Sequence, residues 1–214
     1  MTKQKVRLRF TKKGEVKFLS HHDLMRFFER AIRRAALPVK MSQGFNPRPK
    51  FSIAAALGVG VSAEQEILEI ELEEQLAPDF VLRKLSQTLI NGIAITSAEY
   101  TGGKPARISG ASYEVQLPLE FVLAEDAAQT LLARELVEVE RIAKNKKTRR
   151  VNIRPYIRNI HAEGSTVRME LAITDSGAAR PEEVIAALAA GQEIDRNRLR
   201  IVRTTLEVEP QEQS

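Results

Sequence analysis

KVRLRF (Lys5–Phe10) and, further on, SHHDLMRFFERAIRRAA (Ser20–Ala36) decide the fold. In the first, Val6, Leu8 and Phe10 alternate with Lys5, Arg7 and Arg9, the two-residue period of a half-buried strand. In the second, Leu24, Phe27, Phe28, Ala31, Ile32 and Ala35 recur at helical spacing and form one apolar stripe. Ser20 opens the helix with Asp23 three residues on, a short-acid capping box, and Pro38 ends it near Ala36.

Working outward, TKKGE (residues 11–15) reads as a turn, and Val16–Leu19 resumes or bends the strand. Ser42–Lys50 is irregular. Strands are expected near Phe51–Leu57, over residues 65–73 and over Ile93–Tyr100, with a helix at about Pro78–Asn91 ended by Gly92. The order is βαββαβ, the ferredoxin-like arrangement. TGGKPARISGA (residues 101–111) has no apolar period and reads as a linker. The order then repeats: strand Tyr113–Leu119, helix Ala124–Leu136, extended Val137–Ala143 and Val151–His161 around a basic turn, strand Thr166–Thr174, helix 181–190, strand Arg198–Val208. The expectation is an α+β protein of two tandem ferredoxin-like halves, residues 1–100 and 112–209, with 210–214 as a frayed tail.

The chain has 214 residues and a net charge of +5, but the charge is unevenly placed. Residues 1–50 carry 14 Lys/Arg against 3 Asp/Glu, residues 51–143 carry 6 against 15, and residues 144–214 carry 13 against 10. Seven bases fall in 144–161 without an acid. Two basic segments around an acidic middle point to a polyanion, with mutual neutralisation in the fold as the alternative. There is no cysteine, hence no disulfide and no cysteine-ligated cluster. No stretch is long and apolar enough for a membrane span, and the start lacks an apolar leader core, so a cytoplasmic location is expected.

The densest polar constellation combines Ser20–Asp23 with SQGFNPRPK (Ser42–Lys50). Pro47 and Pro49 stiffen this loop around Gly44, Phe45 and Asn46. Phe45 is read either as a base-stacking aromatic or as a plug into the core. Arg26, Arg30 and Arg33 form one helical ridge suited to phosphate, with Glu29 pairing Arg33 and Arg34 nearby; plain solvation is the rival reading. Arg48 and Lys50 extend the basic set. Arg7 and Arg9 are expected to face Glu69 and Glu71 across adjoining strands, which accounts for them without a ligand. In the second basic block Lys146, Lys147, Arg149, Arg150, Arg154 and Tyr156 are candidate nucleic-acid contacts, because alternation puts Asn152, Arg154, Tyr156 and Arg158 on one strand face; an edge strand guarded by charge is the other reading. No P-loop, dinucleotide fingerprint, nucleophile elbow or HExxH is present. His21 and Asp23 are the only weak catalytic candidates, and no metal site or cofactor is expected.

VRLRF (Val6–Phe10), KFLSHHD (Lys17–Asp23), SQGFNPRPK and ALGVGVSAE (Ala56–Glu64) together resemble the radical-SAM-linked protein family, with weaker similarity from KTRRVNIRPYI (Lys147–Ile157) onward. Ser20, His21, Asp23, Gly44, Phe45, Asn46, Pro47 and Pro49 match the family motif. His22 and Arg48 depart from it, standing where an apolar residue and a histidine are commoner. The resemblance implies a radical SAM protein as partner and an RNA-linked role. Since this chain has no CxxxCxxC, it places the radical chemistry on another polypeptide. The expected function is a non-catalytic RNA-binding accessory protein acting with a radical SAM enzyme in RNA modification. A protein–protein adaptor docking on that enzyme, and a His-dependent RNA hydrolase, are the alternatives.

Overall fold

The computed structural model describes residues 4–101, 103, 105–142, 147–192 and 194–209. The chain is α+β, with mostly antiparallel sheet and few helices. It divides into two compact units, one of residues 1–107 with 208–214 and one of residues 108–207. No helix among the described residues is long and apolar enough to cross a membrane.

In the first unit β1 (Gln4–Lys12) leads through a 3-10 turn (Gly14–Phe18) into α1 (His21–Arg34). Then come β2 (Phe51–Ile53), β3 (Ser62–Leu72), α2 (Pro78–Ser86) and β4 (Ile93–Thr101). The sheet runs β2–β3–β1–β4, every neighbour antiparallel. Val6, Leu8 and Phe10 are fully buried against Leu24, Phe28 and Ile32 of α1 and Val81 and Leu85 of α2, so both helices lie on one sheet face. Phe10 meets Phe28 edge to face at 4.8 Å, the geometry that ring quadrupoles favour. Gly92 closes this unit tightly. It has φ +92° and hydrogen-bonds Lys13, and a Cβ there would lie 2.4 Å from the Lys13 carbonyl.

On the opposite face Arg7 sits across from Glu69, as alternation predicts. Its Nε and Nη2 donate to one Glu69 oxygen at 3.1 and 3.0 Å, Lys5 lies 3.6 Å from the other, and the Ala106 amide donates to both. The expected Arg9–Glu71 pair is not formed: the strands are antiparallel, so Lys5 stands across from Glu71 and Arg9 across from Ile67. Arg9 donates to Gln65 instead.

The second unit is β5 (Ile108–Gln116), α3 (Ala127–Leu132), β6 (Glu138–Ile142), β7 (Thr148–Asn152), β8 (Ile157–Glu163), β9 (Thr166–Thr174), β10 (Gly177–Ala178), α4 (Pro181–Leu188) and β11 (Arg200–Val208). Its main sheet has β8 and β10 along one edge of β9, then β5, then β11; β6 and β7 form a separate hairpin. Val115, Val167 and Leu171 pack with Val184, Ile185 and Leu188 of α4 into its own core.

Several elements differ from the sequence expectations. The strand expected at Val151–His161 is broken by a 3-10 turn over Arg154–Tyr156, with Pro155 supplying the fixed φ such a turn needs. Consequently no continuous strand face carries Asn152, Arg154, Tyr156 and Arg158 together. α2 stops at Ser86 because the Thr88 hydroxyl donates to the Leu85 and Ala31 carbonyls, drawing the chain onto α1. β5 begins at Ile108, inside the expected linker, and β2 ends at Ile53.

Glu69→Ala leaves the buried Arg7 guanidinium with only the exposed Glu99 carboxylate, 3.6 Å from Nη1, and chemical denaturation should show a loss of about 3 kcal/mol, the low end for a broken buried pair. Joint replacement Arg7→Met with Glu69→Leu should recover only part of it, because the Arg7 charge is gone but Lys5 and the Ala106 amide still lose the Glu69 carboxylate.

Candidate nucleic-acid interface

The motif residues come together around α1. Ser20 is its N-cap: its hydroxyl accepts the Asp23 amide and donates to Asp23 Oδ2 at 2.6 Å. The approach to the cap is fixed by Lys12, whose buried Nζ donates to the carbonyls of Lys17 and Leu19, each at 2.9 Å. Gly60 N–H donates to the Lys17 carbonyl, so the ALGVGVSAE and KFLSHHD segments meet here, with Phe18 and Val59 exposed beside them. His22 is exposed. His21 Nδ1 is buried and has no hydrogen-bond partner, while Asp23 is engaged with Ser20, so these side chains do not form a dyad. Among the described residues no cluster of His, Cys, Asp and Glu has the makeup of a metal site.

SQGFNPRPK forms a hairpin. Met41 bridges Pro49, Ser42 N–H donates to the Arg48 carbonyl at 2.7 Å, and Arg48 N–H donates to Ser42 Oγ at 3.0 Å. Gly44 takes φ +122° at the tip, a conformation L side chains rarely adopt. Beyond this clamp Phe45 projects fully into solvent, at 106% relative exposure, which removes the core-plug reading. Gln43 and Asn46 flank it, both exposed. Gln43 was not singled out by the sequence, although its place between the Ser42 clamp and Gly44 marks it as a tip residue.

Arg33 joins helix to hairpin. It donates to the Pro47 carbonyl at 3.3 Å and pairs with Glu29 at 3.3 Å. Arg26 and Arg30 on the same ridge are exposed, and among the described residues neither forms an ion pair or hydrogen bond. Arg34 is drawn away, donating to the Thr88 carbonyl at 2.8 Å. Arg48 is exposed at the neck of the hairpin. Lys50 belongs elsewhere: it lines a cavity of about 220 Å³ with Lys5, Phe51, Ser52, Glu69 and Glu71, on the sheet face away from α1.

The second basic block is divided. Arg149 and Arg150 are exposed on the β6–β7 hairpin, Arg150 lying 3.8 Å from Glu140. Lys147 is exposed beside them, and Lys146 lies outside the described residues. Arg154 is a structural clamp: its guanidinium donates to the carbonyls of Leu132, Arg134 and Ile157 and so caps the end of α3. Tyr156 packs against Gly177 with its hydroxyl near Ser176. Arg158 is held by Glu207 and the Ser109 carbonyl. Arg141, which the sequence did not single out, fixes the hairpin to α4 through Glu183 (2.6 and 2.7 Å) and the Ala178 carbonyl. The Glu183 hydrogen bonds raise the Arg141 guanidinium pKa above its ordinary value.

An exposed aromatic hairpin tied to an arginine-bearing helix thus marks out the motif face of an α+β protein. The chain belongs to the family of uncharacterised proteins conserved in bacteria designated DUF2344, which it matches over residues 5–181. Among curated proteins none matches it. Among solved structures it is similar to a chain of a Cbf5–Nop10–Gar1 complex, at 13% identity and TM-score 0.46, covering 94% of this chain. It spans about half of that chain, 48%. It is also similar to an unknown protein from Galdieria sulphuraria, at 17% identity and TM-score 0.30, covering 96% of this chain and 98% of that one.

Two measurements follow from these placements. The Ser20 hydroxyl and then the Arg26 charge hold the Asp23 carboxyl below its ordinary value of 3.8. Its folded pKa therefore lies below the unfolded one, and its stabilisation is present above the unfolded value and lost as pH falls through the folded one. Thermal midpoints of the natural chain and Asp23→Asn should differ at neutral pH and converge as pH falls through the lowered folded-state pKa of Asp23. Arg154→Lys leaves α3 carbonyls unmet and should cost about 1–3 kcal/mol of stability in denaturant titration.

Proposed function

We propose that this chain is a non-catalytic RNA-binding accessory protein that acts with a radical SAM enzyme, built on two ferredoxin-like units in tandem. The strand orders support the architecture: β2–β3–β1–β4 in the first unit and β8–β9–β5–β11 in the second, each with the βαββαβ succession if the β6–β7 hairpin and β10 are treated as insertions. The radical SAM partnership rests on the resemblance carried by Lys17–Asp23 and Ser42–Lys50. With no cysteine in the chain, a thiolate-held cluster belongs to the partner.

The observation that carries RNA binding is the Arg33–Pro47 bond. It ties to the hairpin, whose aromatic tip faces water, the α1 ridge that carries the exposed Arg30 and, beside Asp23, the exposed Arg26. Guanidinium groups on a rigid helix suit phosphate oxygens, because their fork-shaped donors are preorganised. Arg149 and Arg150 offer a second basic surface on the β6–β7 hairpin.

Fluorescence anisotropy of a labelled single-stranded RNA, titrated with the protein over a range of salt, tests this reading. Affinity should fall steeply with salt, and Arg26→Gln with Arg30→Gln should lower the log–log slope by about 1.4, roughly 0.7 for each lost phosphate contact. RNA affinity that is absent or insensitive to salt, with a radical SAM protein still held by the chain, would instead establish the adaptor.

A further inference from the structure

We propose that the Ser42–Arg48 hairpin selects an unpaired nucleotide, stacking its base on Phe45 while Arg26 and Arg30 hold the neighbouring backbone. This rests on the RNA-binding reading above and names the class of RNA that the site takes.

Among the described phenylalanines and tyrosines Phe45 is the most exposed, and its backbone is far from free. The neck of the hairpin is closed by the two Ser42–Arg48 hydrogen bonds, Pro47 and Pro49 fix φ on its return limb, and the Pro47 carbonyl is held by Arg33. A ring on a preorganised turn stacks without first losing the conformational freedom of a floppy loop. The residue beneath it contributes as well. Gly44 has nothing within 4 Å of where a Cβ would stand, so the space alongside the tip is open.

Stacking needs an uncovered π-face. Inside a helix both faces of each base are covered by neighbours, and A-form RNA hides its major-groove edges in a deep, narrow cleft. A lone projecting phenyl ring therefore has a partner only where a base is unpaired, in a loop, a bulge or an end. The flanking residues fit that partner. The amides of Gln43 and Asn46 are exposed and among the described residues make no hydrogen bonds, and a primary amide both donates and accepts, as a base edge requires. Arg26 and Arg30 stand one helical turn apart on the ridge that Arg33 ties to the hairpin, exposed to backbone phosphates of the same strand.

The natural chain has no tryptophan. Phe45→Trp therefore places a single indole reporter at the tip. Two probes serve: a stem–loop RNA with a loop of about eight mixed nucleotides, and a blunt duplex of the same composition. The stem–loop should quench the indole of Phe45→Trp and bind at least about 10-fold tighter than the duplex, and Phe45→Ala should weaken stem–loop binding about 5- to 100-fold. Gln43→Ala with Asn46→Ala should weaken it further without changing the salt slope. Equal affinity for the two probes with no quenching would overturn the unpaired-base site and leave RNA binding standing. Failure to bind either probe, in a protein with a normal melting transition, would overturn both.

Discussion

The Glu69 carboxylate, 2% exposed in the middle of β3, accepts Nε and Nη2 of Arg7 from β1 and the Ala106 amide from the segment beyond β4. Three pieces of the first unit meet on one buried charge. Such a pair contributes little net stability, because desolvating both ions offsets their attraction. What it supplies is register. A slip of β1 by one residue would turn Arg7 into the apolar core and Val6 onto the charged face, so Glu69 penalises the slipped pairing more than it favours the correct one. Everything that positions the motif face depends on this register: Val6, Leu8 and Phe10 receive α1, and α1 carries the arginine ridge and anchors the hairpin.

The elements that were legible in the sequence are those whose determinants are local. β1 and α1 follow from their two periods, and the Ser20 cap follows from its spacing to Asp23. What was not legible depends on partners distant in the chain. The turn at Arg154–Tyr156 hides inside an alternating pattern, and Arg154 is claimed by carbonyls near Leu132, some twenty residues earlier. α2 ends early because Thr88 finds Ala31. Phe45 admits two readings from sequence alone, since a phenylalanine in a proline-rich loop suits both core and solvent; the Ser42–Arg48 clamp, invisible in composition, turns it outward.

Charge counting shows the same divide. Residues 1–50 look like one basic surface in the sequence, yet the fold assigns their cations to different tasks. Arg7 neutralises Glu69, Lys12 gathers the carbonyls ahead of the α1 cap, Arg34 holds Thr88, and Lys50 turns to the other sheet face. In the second unit Arg141, Arg154 and Arg158 are likewise absorbed. Among the described residues Arg26, Arg30 and Arg48 remain exposed on or near the motif face and Arg149 on β7, while Arg83, Arg134, Arg196 and Arg200 are exposed elsewhere, so net charge alone does not locate a binding face.

The first unit is discontinuous in sequence. Its chain leaves after Arg107 and re-enters at Val208, and the Glu209 amide closes the gap by donating to the Arg107 carbonyl at 2.8 Å. Topologically, the second unit is thus an insertion whose two ends are pinned side by side. Pinning the ends of a disordered stretch of roughly 100 residues costs on the order of 4 kcal/mol in loop-closure entropy. Once the inserted unit has folded with its termini already adjacent, that cost vanishes. The closing strand end of the first unit and the folded insert therefore stabilise one another, since each lowers the loop-closure cost of the other. Proteolysis within that insert would then loosen the first unit from a distance, by restoring the entropy of its ends and not by removing any of its own residues.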